Sequence, residues 1–158
     1  MEPKKSREVK SWEIVFPNDT NPHGTMFGGK VMAIMDKIAA IAAARYSGRT
    51  AVTVSTEAIV FKRPIKSGDR IQTIARVVWT GRTSMAVKVD VFAEDPLTND
   101  HIHCTTARFN FVALDRDAQP TPVPPILIET DEEKQEHEIA EFVVKQALER
   151  KKRIENLK

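Results

Sequence analysis

The residue types that could do chemistry lie between positions 21 and 36 of the sequence. Asn21 falls in "PNDTNPHG", a run of turn-forming residues that predicts a loop. Gly28 and Gly29 follow at the start of a long apolar run, which contains Asp36 at its centre. A loop amide can orient a water molecule or hold a carbonyl group. Free N–H groups at a helix start attract an anion or a polarised carbonyl oxygen.

Asp36 is the residue that most needs an explanation. The pattern predicts one helix from Gly28 to Ser47, and the neighbours of Asp36 one turn away offer no partner for a carboxylate: Met32, Ala33, Ala39 and Ala40. An unpaired carboxylate is costly to bury. A functional role therefore competes with two structural ones, a salt bridge to a neighbouring strand or partial exposure at the helix edge.

The elements around this helix predict an α+β fold. Alternating residues favour a first strand from Val9 to Phe16 and four more strands after the helix. Short turns between the four strands favour antiparallel pairing. Their expected buried faces are Val52, Val54, Ala58 and Val60; Ile71, Ala75, Val77 and Trp79; Met85, Val87, Val89 and Val91; and Ala107, Phe109, Phe111 and Ala113.

The central helix is expected to be enclosed on most sides. Lys30, Lys37 and Arg45 fall within one narrow arc of its surface, and almost every other position is Val, Met, Ile or Ala. Its many alanines would allow a sheet to approach closely.

A proline-rich stretch after Asp115 predicts an extended connection to a second helix. Thr130 and Glu133 have the spacing of a capping box at its start. A narrow apolar stripe follows, which favours a packing or subunit-contact helix: Ile139, Phe142, Val143 and Ala147.

Composition excludes several classes of protein. The net charge of +2, from 24 basic and 22 acidic residues, gives no case for nucleic acid as a partner. The apolar run is too short to span a bilayer, and the N-terminus does not have the pattern of a signal peptide. The single cysteine, Cys104, fits the cytoplasm, and no feature near it indicates a nucleophile. "HIHC" at 101–104 has no further ligands that would complete a metal site.

Several motifs in order resemble hotdog-fold acyl-CoA thioesterases of the acyl-CoA hydrolase family. They are "NPHGTMFGGKVMAIMD", "FKRPIKSGD", "GRTSMAVKVDVFAED" and "CTTARFNFVALD". The resemblance covers residues 7–125 and implies a hotdog domain, an antiparallel sheet wrapped around a long helix. Residues 126–158 would then form a C-terminal helical extension. The implied reaction is hydrolysis of a fatty acyl-CoA to a free fatty acid and CoA.

The resemblance also implies the site. The family's catalytic asparagine falls on Asn21 and its aspartate on Asp36, and the two act across the interface of a homodimer. Trimers of such dimers are common in the family, so a hexamer is expected. Asp36 would act as a general base or as a nucleophile, and the sequence does not choose between them. The N–H groups of Gly28 and Gly29 would stabilise the oxyanion. No separate cofactor is expected, because CoA belongs to the substrate and product.

The CoA phosphates would need cations and hydroxyl groups. Two turns of the sequence supply them: Lys62, Arg63 and Lys66 in one, and Arg82, Thr83 and Ser84 in the other. Taken singly, each is better explained as a solvated turn residue, and it is their clustering at these two turns that indicates a role.

Two alternatives to a thioesterase remain at the level of sequence. A non-catalytic acyl-CoA-binding hotdog module would have little use for a buried acid. A hotdog hydratase or dehydratase would be expected to combine an acidic residue with a nearby catalytic histidine, and the central helix carries no histidine.

Overall fold

The computed structural model describes residues 1–158 and confirms an α+β fold with a curled antiparallel sheet against one long helix. Two helices and six strands make up the chain, with a short 3-10 turn at Pro17–Asp19. The strands are β1 (Val9–Ile14), β2 (Thr50–Thr56), β3 (Val60–Phe61), β4 (Arg70–Thr80), β5 (Ser84–Glu94) and β6 (His101–Leu114), and the helices are α1 (Gly28–Ser47) and α2 (Asp131–Asn156).

The strands form one sheet in the order β1-β4-β5-β6-β2, with β3 paired to β6. Neighbouring strands are antiparallel throughout. Since β1 pairs only with β4 and β2 pairs only with β6, each leaves one side of its backbone unpaired at an edge of the sheet.

The core lies between α1 and the concave face of the sheet. The helix begins at Gly28 and ends at Ser47, as the sequence predicts. It ends there because Gly48 caps its C-terminus in the left-handed conformation, with φ of 66°. The expected faces of β5 and β6 are confirmed, with Val87 and Phe111 fully buried. Seven side chains of α1 pack against these strands: Val31, Met35, Ile38, Ala39, Ala42, Ala43 and Tyr46.

The expectation that α1 is enclosed on most sides is wrong for a single chain. The sheet covers one face of the helix, whereas Met32 is 36% and Ile41 is 44% exposed on the other. One sheet of this width curls around half of the helix circumference, and the rest faces outward.

The expected face of β2 is also wrong, and that of β4 is confirmed at Ile71, Ala75 and Val77 but wrong at Trp79. On the edge strand β2, Val52, Thr53 and Val54 are all exposed, and it is Thr53, opposite the buried Phe111, that lies on the side of α1. A bulge in β4 between Val77 and Trp79 places Trp79 on the convex face. A bulge inserts one residue, so every side chain beyond it changes face, and an alternating pattern does not reveal this.

The second helix packs on the convex face of the sheet. The capping box at Thr130 and Glu133 is confirmed. The apolar contact is made by Ala140 with the sheet residues Val78 and Ala86. Of the predicted stripe, Val143 and Ala147 are half-buried, whereas Ile139 and Phe142 are exposed in the single chain. Acidic residues of α2 pair with basic residues of the sheet, as in Lys88–Glu136 at 2.8 Å, Arg108–Glu136 at 3.5 Å and Arg76–Glu133 at 3.7 Å. Neither helix has the length and apolar character needed to cross a membrane.

Candidate active site

Asp36 lies on the outward-facing side of α1, beside the free edge strand β2. Its side chain is half-buried rather than enclosed, and the Thr53 hydroxyl donates a hydrogen bond to its Oδ1 atom at 2.7 Å. The inference of an unpaired buried acid is therefore corrected. The carboxylate is fixed by one neutral donor, and its second oxygen accepts no hydrogen bond from the chain. A carboxylate held in this way remains able to take a proton or attack a carbonyl carbon.

The loop before α1 holds Asn21 in a defined orientation. Its Oδ1 atom accepts hydrogen bonds from the backbone N–H groups of His23, at 2.9 Å, and Thr25, at 3.2 Å. Its Nδ2 group donates to the Thr25 hydroxyl at 2.8 Å. A side-chain amide nitrogen carries two N–H groups, so one remains free to donate to a bound molecule. Within one chain Asn21 makes no hydrogen bond to Asp36.

Gly28 and Gly29 begin α1 with free backbone donors, as expected. Their N–H groups donate no hydrogen bond within the chain, whereas the N–H groups of Lys30 and Val31 both donate to the carbonyl of Phe27. The helix dipole adds positive potential at this end. An ideal Cβ at Gly28 would lie 3.3 Å from the Phe61 ring, while nothing lies within 4 Å of one at Gly29. Gly28 thus allows the ring to approach the backbone closely.

A cavity of about 350 Å³ adjoins this helix start. Its wall combines loop, helix and β3 residues, and Lys62 and Arg63 lie at its exposed rim. Neither side chain forms an ion pair within the chain. Lys66 is close by, since its backbone bridges to Thr25, and it also lacks an acidic partner within ion-pair distance. The first cationic cluster therefore lies beside the helix start.

The second cluster is elsewhere in the chain. Ser84 lies opposite Val112 in β6, whereas the Lys62 N–H donates to the carbonyl of Cys104 near the other end of that strand. Eight residues of strand separate the two points, which corresponds to about 26 Å. One chain does not bring Arg82, Thr83 and Ser84 together with the first cluster.

Asp36 is also separated from the start of α1 in a single chain. Asp36 is eight residues beyond Gly28, which is about 12 Å along the helix axis. A single carbonyl bound at Gly28 in one chain would thus lie out of reach of Asp36 in the same chain.

Thr53 is the site residue that sequence reasoning missed. It lies between two valines, so it looks like the polar half of an alternating strand. The sequence offered one indication of this, since the alternation of apolar and polar residues is weaker in this segment than in the other three strands. Its position opposite Asp36 follows from how β2 packs against α1, which tertiary structure alone decides.

Other chemically capable groups lie apart from this site. Burial raises the pKa of the Cys104 thiol, which is 1% exposed, and this disfavours the thiolate. His103 contacts Asp90 and Thr106 on the convex face. A larger surface cavity, of about 730 Å³, lies against β1 and contains none of the residues predicted to act.

Comparison with known proteins identifies the family. The model of the thioesterase superfamily matches residues 23–99. An uncharacterized acyl-CoA thioester hydrolase of Bacillus subtilis is 43% identical over 150 residues, which is 95% of this chain and 85% of that protein.

Solved structures extend this similarity to the whole fold. The acyl-CoA hydrolase of Staphylococcus aureus, in complex with butyryl-CoA, CoA and CoA disulfide, is 40% identical with a TM-score of 0.84 and covers 95% of this chain and 94% of its own. Variants of that enzyme with one asparagine, aspartate or threonine replaced by alanine are also similar. An apo-hexameric acyl-CoA thioesterase is 36% identical with a TM-score of 0.86, over 90% of this chain and 92% of that one.

Fold and comparisons together define a hotdog-fold thioesterase, an enzyme of the thioester hydrolase class. Within this class, the chain belongs to the acyl-CoA thioester hydrolase family.

Proposed function

We propose that this protein hydrolyses fatty acyl-CoA thioesters to the free acid and CoA, at a site shared between two chains. The observation that carries the proposal is the split arrangement of the chemical groups. Asp36 lies on an open face of α1, and the free N–H group of Gly28 lies about 12 Å away along the same helix. A second chain packed against the open face would bring its own helix start towards Asp36.

In this scheme Asp36 is the reacting acid. As a general base it removes a proton from a water molecule, whose oxygen attacks the thioester carbon and displaces the thiol of CoA. As a nucleophile it first forms an anhydride, which water then hydrolyses. Both routes give the same products. Thr53 donates to one carboxylate oxygen and leaves the other without a hydrogen bond from the chain, so that it is free to react.

Asn21 and the helix start would hold the carbonyl group. The free N–H of the Asn21 amide orients the carbonyl or the water, and the N–H groups of Gly28 and Gly29 stabilise the negative charge that develops on the oxygen. A thioester is reactive enough that no stronger nucleophile is needed.

The variants of the Staphylococcus aureus enzyme support this choice of residues. Along that chain, the intervals from the altered asparagine to the aspartate and on to the threonine equal those from Asn21 to Asp36 and from Asp36 to Thr53. The three altered positions of a related hydrolase therefore correspond to three residues that face the proposed site here.

The cations beside the helix start are proposed to bind the CoA phosphates. Lys62, Arg63 and Lys66 form no ion pairs within the chain, so their charges remain available. Arg82, Thr83 and Ser84 can join them only from another chain, because about 26 Å separates the two clusters in one.

The assembly is proposed to be a homodimer with two shared sites, and three such dimers are proposed to form a hexamer. The open face of α1 and the unpaired edge of β2 adjoin each other, and both expose apolar side chains. The hexameric relative supports the larger assembly. A non-catalytic binding module explains neither the acid on this face nor its hydrogen bond to Thr53.

The test offers the purified protein a panel of acyl-CoAs, from acetyl to palmitoyl, and follows the free thiol with a colour reagent. We expect thiol release, and a fall in kcat of at least 100-fold in Asp36→Ala and Asn21→Ala, which is typical when a general base or an oxyanion donor is lost. Release from no substrate would exclude the thioesterase function. Full activity of Asp36→Ala would exclude the site and leave the fold unaffected.

Mixing the two inactive variants tests whether the site is shared. If Asn21 and Asp36 act across an interface, random exchange of subunits in an equal mixture restores about a quarter of the native sites, because half of the dimers are mixed and each has one intact site. A mixture as inactive as its components, with subunit exchange verified by mass spectrometry, would show that both residues act within one chain.

A further inference from the structure

The cavity beside the helix start is apolar inside and basic at its mouth. Met26, Val31, Phe61 and Ile65 supply the apolar wall. The polar side chain within it, Thr25, already accepts a hydrogen bond from Asn21. Lys62 and Arg63 are exposed at the rim, so a molecule lying here would keep its anionic part outside.

The segment that carries Phe61 is fixed at both ends. Val60 and Phe61 pair with Thr106 and Thr105 of β6, and the Thr105 hydroxyl donates to the carbonyl of Val60. Further along, the Met26 N–H donates to the carbonyl of Ile65 at 2.7 Å. The backbone that carries Phe61 is thus held by pairing on each side, and the ring, which is 46% exposed, forms one wall of the cavity.

This ring packs against Gly28, whose N–H group is one of the proposed carbonyl-binding donors. An ideal Cβ at Gly28 would be 3.3 Å from its Cζ atom and 3.4 Å from its Cε2 atom. A carbonyl oxygen at the Gly28 N–H would therefore place the next carbons of the acyl group beside the ring.

The apolar lining favours the acyl chain of the substrate over its CoA arm. The pantetheine arm of CoA contains two amide groups, which would lose their hydrogen bonds in this interior. A methylene chain needs no partners and gains from burial. The acyl group fits inside, and the CoA arm leaves through the mouth past Lys62 and Arg63.

We propose that Phe61 sets the acyl chain length that this enzyme accepts, by closing the apolar cavity next to the thioester. The inference rests on the proposed thioesterase function and adds the residue that limits the substrate. Replacing the ring with a smaller side chain opens space for further methylenes, each of which increases kcat/KM about fourfold when buried.

The test compares kcat/KM across straight-chain acyl-CoAs for the native protein, Phe61→Leu and Phe61→Ala. The preferred chain is expected to lengthen from Phe to Leu to Ala, with Phe61→Trp displacing it towards shorter chains. Val60→Ala is the matched control, since Val60 is on the same short strand, is 63% exposed and does not line the cavity. It should keep the native profile.

The outcomes separate this inference from the function on which it rests. No thiol release from any substrate by the native protein would overturn the proposed function. A native enzyme that is active, with Phe61 variants that change kcat/KM by the same factor at every chain length, would overturn the inference alone. Such a uniform change would assign Phe61 to the CoA arm or to the packing of Gly28.

Discussion

The hydrogen bond from Thr53 to Asp36 bears directly on the role proposed for this acid. A carboxylate on a half-exposed helix face has two oxygens and considerable rotational freedom. The hydroxyl of Thr53 fixes one oxygen at 2.7 Å, and this reduces the conformations that must be lost when the substrate binds.

Thr53→Val tests this role, because valine keeps the shape and the strand preference of threonine but cannot donate. A hydrogen bond to a charged group is worth about 1.5–3 kcal/mol. We therefore expect kcat for thiol release to fall by roughly ten- to hundredfold, with the fold unchanged by circular dichroism. Thr53→Ser keeps the hydroxyl and should keep most of the activity. If Thr53→Val and Thr53→Ser released thiol at equal rates, the hydroxyl donor at residue 53 would not be needed for activity.

At the scale of elements, α1 combines a site and a structural support. Its glycine start exposes two free donors, its buried face anchors the sheet, and its outward face carries Asp36. The C-terminal end is fixed by Gly48, whose N–H donates to the carbonyl of Ala44 at 2.9 Å. The direction of β2, and hence the position of Thr53, depends on this turn.

Gly48→Ala is expected to destabilise the protein by about 1–2 kcal/mol, because φ is 66° and a Cβ disfavours the left-handed region. Urea unfolding followed by fluorescence measures the change as a lower midpoint. Gly48→Asn should cost less, since asparagine tolerates this conformation better. If Gly48→Ala unfolded at the same urea concentration as the native protein, the left-handed conformation at residue 48 would not limit the stability of the fold.

At the scale of the whole molecule, one chain leaves an apolar surface uncovered. Met32 and Ile41 on α1 and Val54 on β2 are all more than one-third exposed. A second copy that covers this surface would also complete the site, so assembly and activity are expected to depend on each other.

Ile41→Glu tests this dependence. A carboxylate placed in an apolar subunit interface would lack a partner, so we expect smaller particles by light scattering and loss of thiol release together. Leu97→Glu is the control, because Leu97 is 91% exposed at the turn between β5 and β6. A native-sized, active Ile41→Glu protein would show that this face of α1 is not the interface.

Much of the architecture was determined by local sequence. Apolar periodicity and the glycines at 28 and 48 set the bounds of α1, and alternation identified the buried faces of β5 and β6. The order of the motifs indicated the family, and the side chains of Asn21 and Asp36 suggested the chemistry from the sequence alone.

Tertiary structure alone decided the surroundings of these residues. The bulge in β4 moved Trp79 to the convex face, because one inserted residue reverses the alternation, and the edge position of β2 left its valines exposed. The width of the sheet left half of α1 open, and this made Asp36 half-exposed and gave it Thr53 as a partner. Distances between residues far apart in the chain depend on packing. Packing places the two cationic clusters, one at Lys62, Arg63 and Lys66 and the other at Arg82, far apart within one chain.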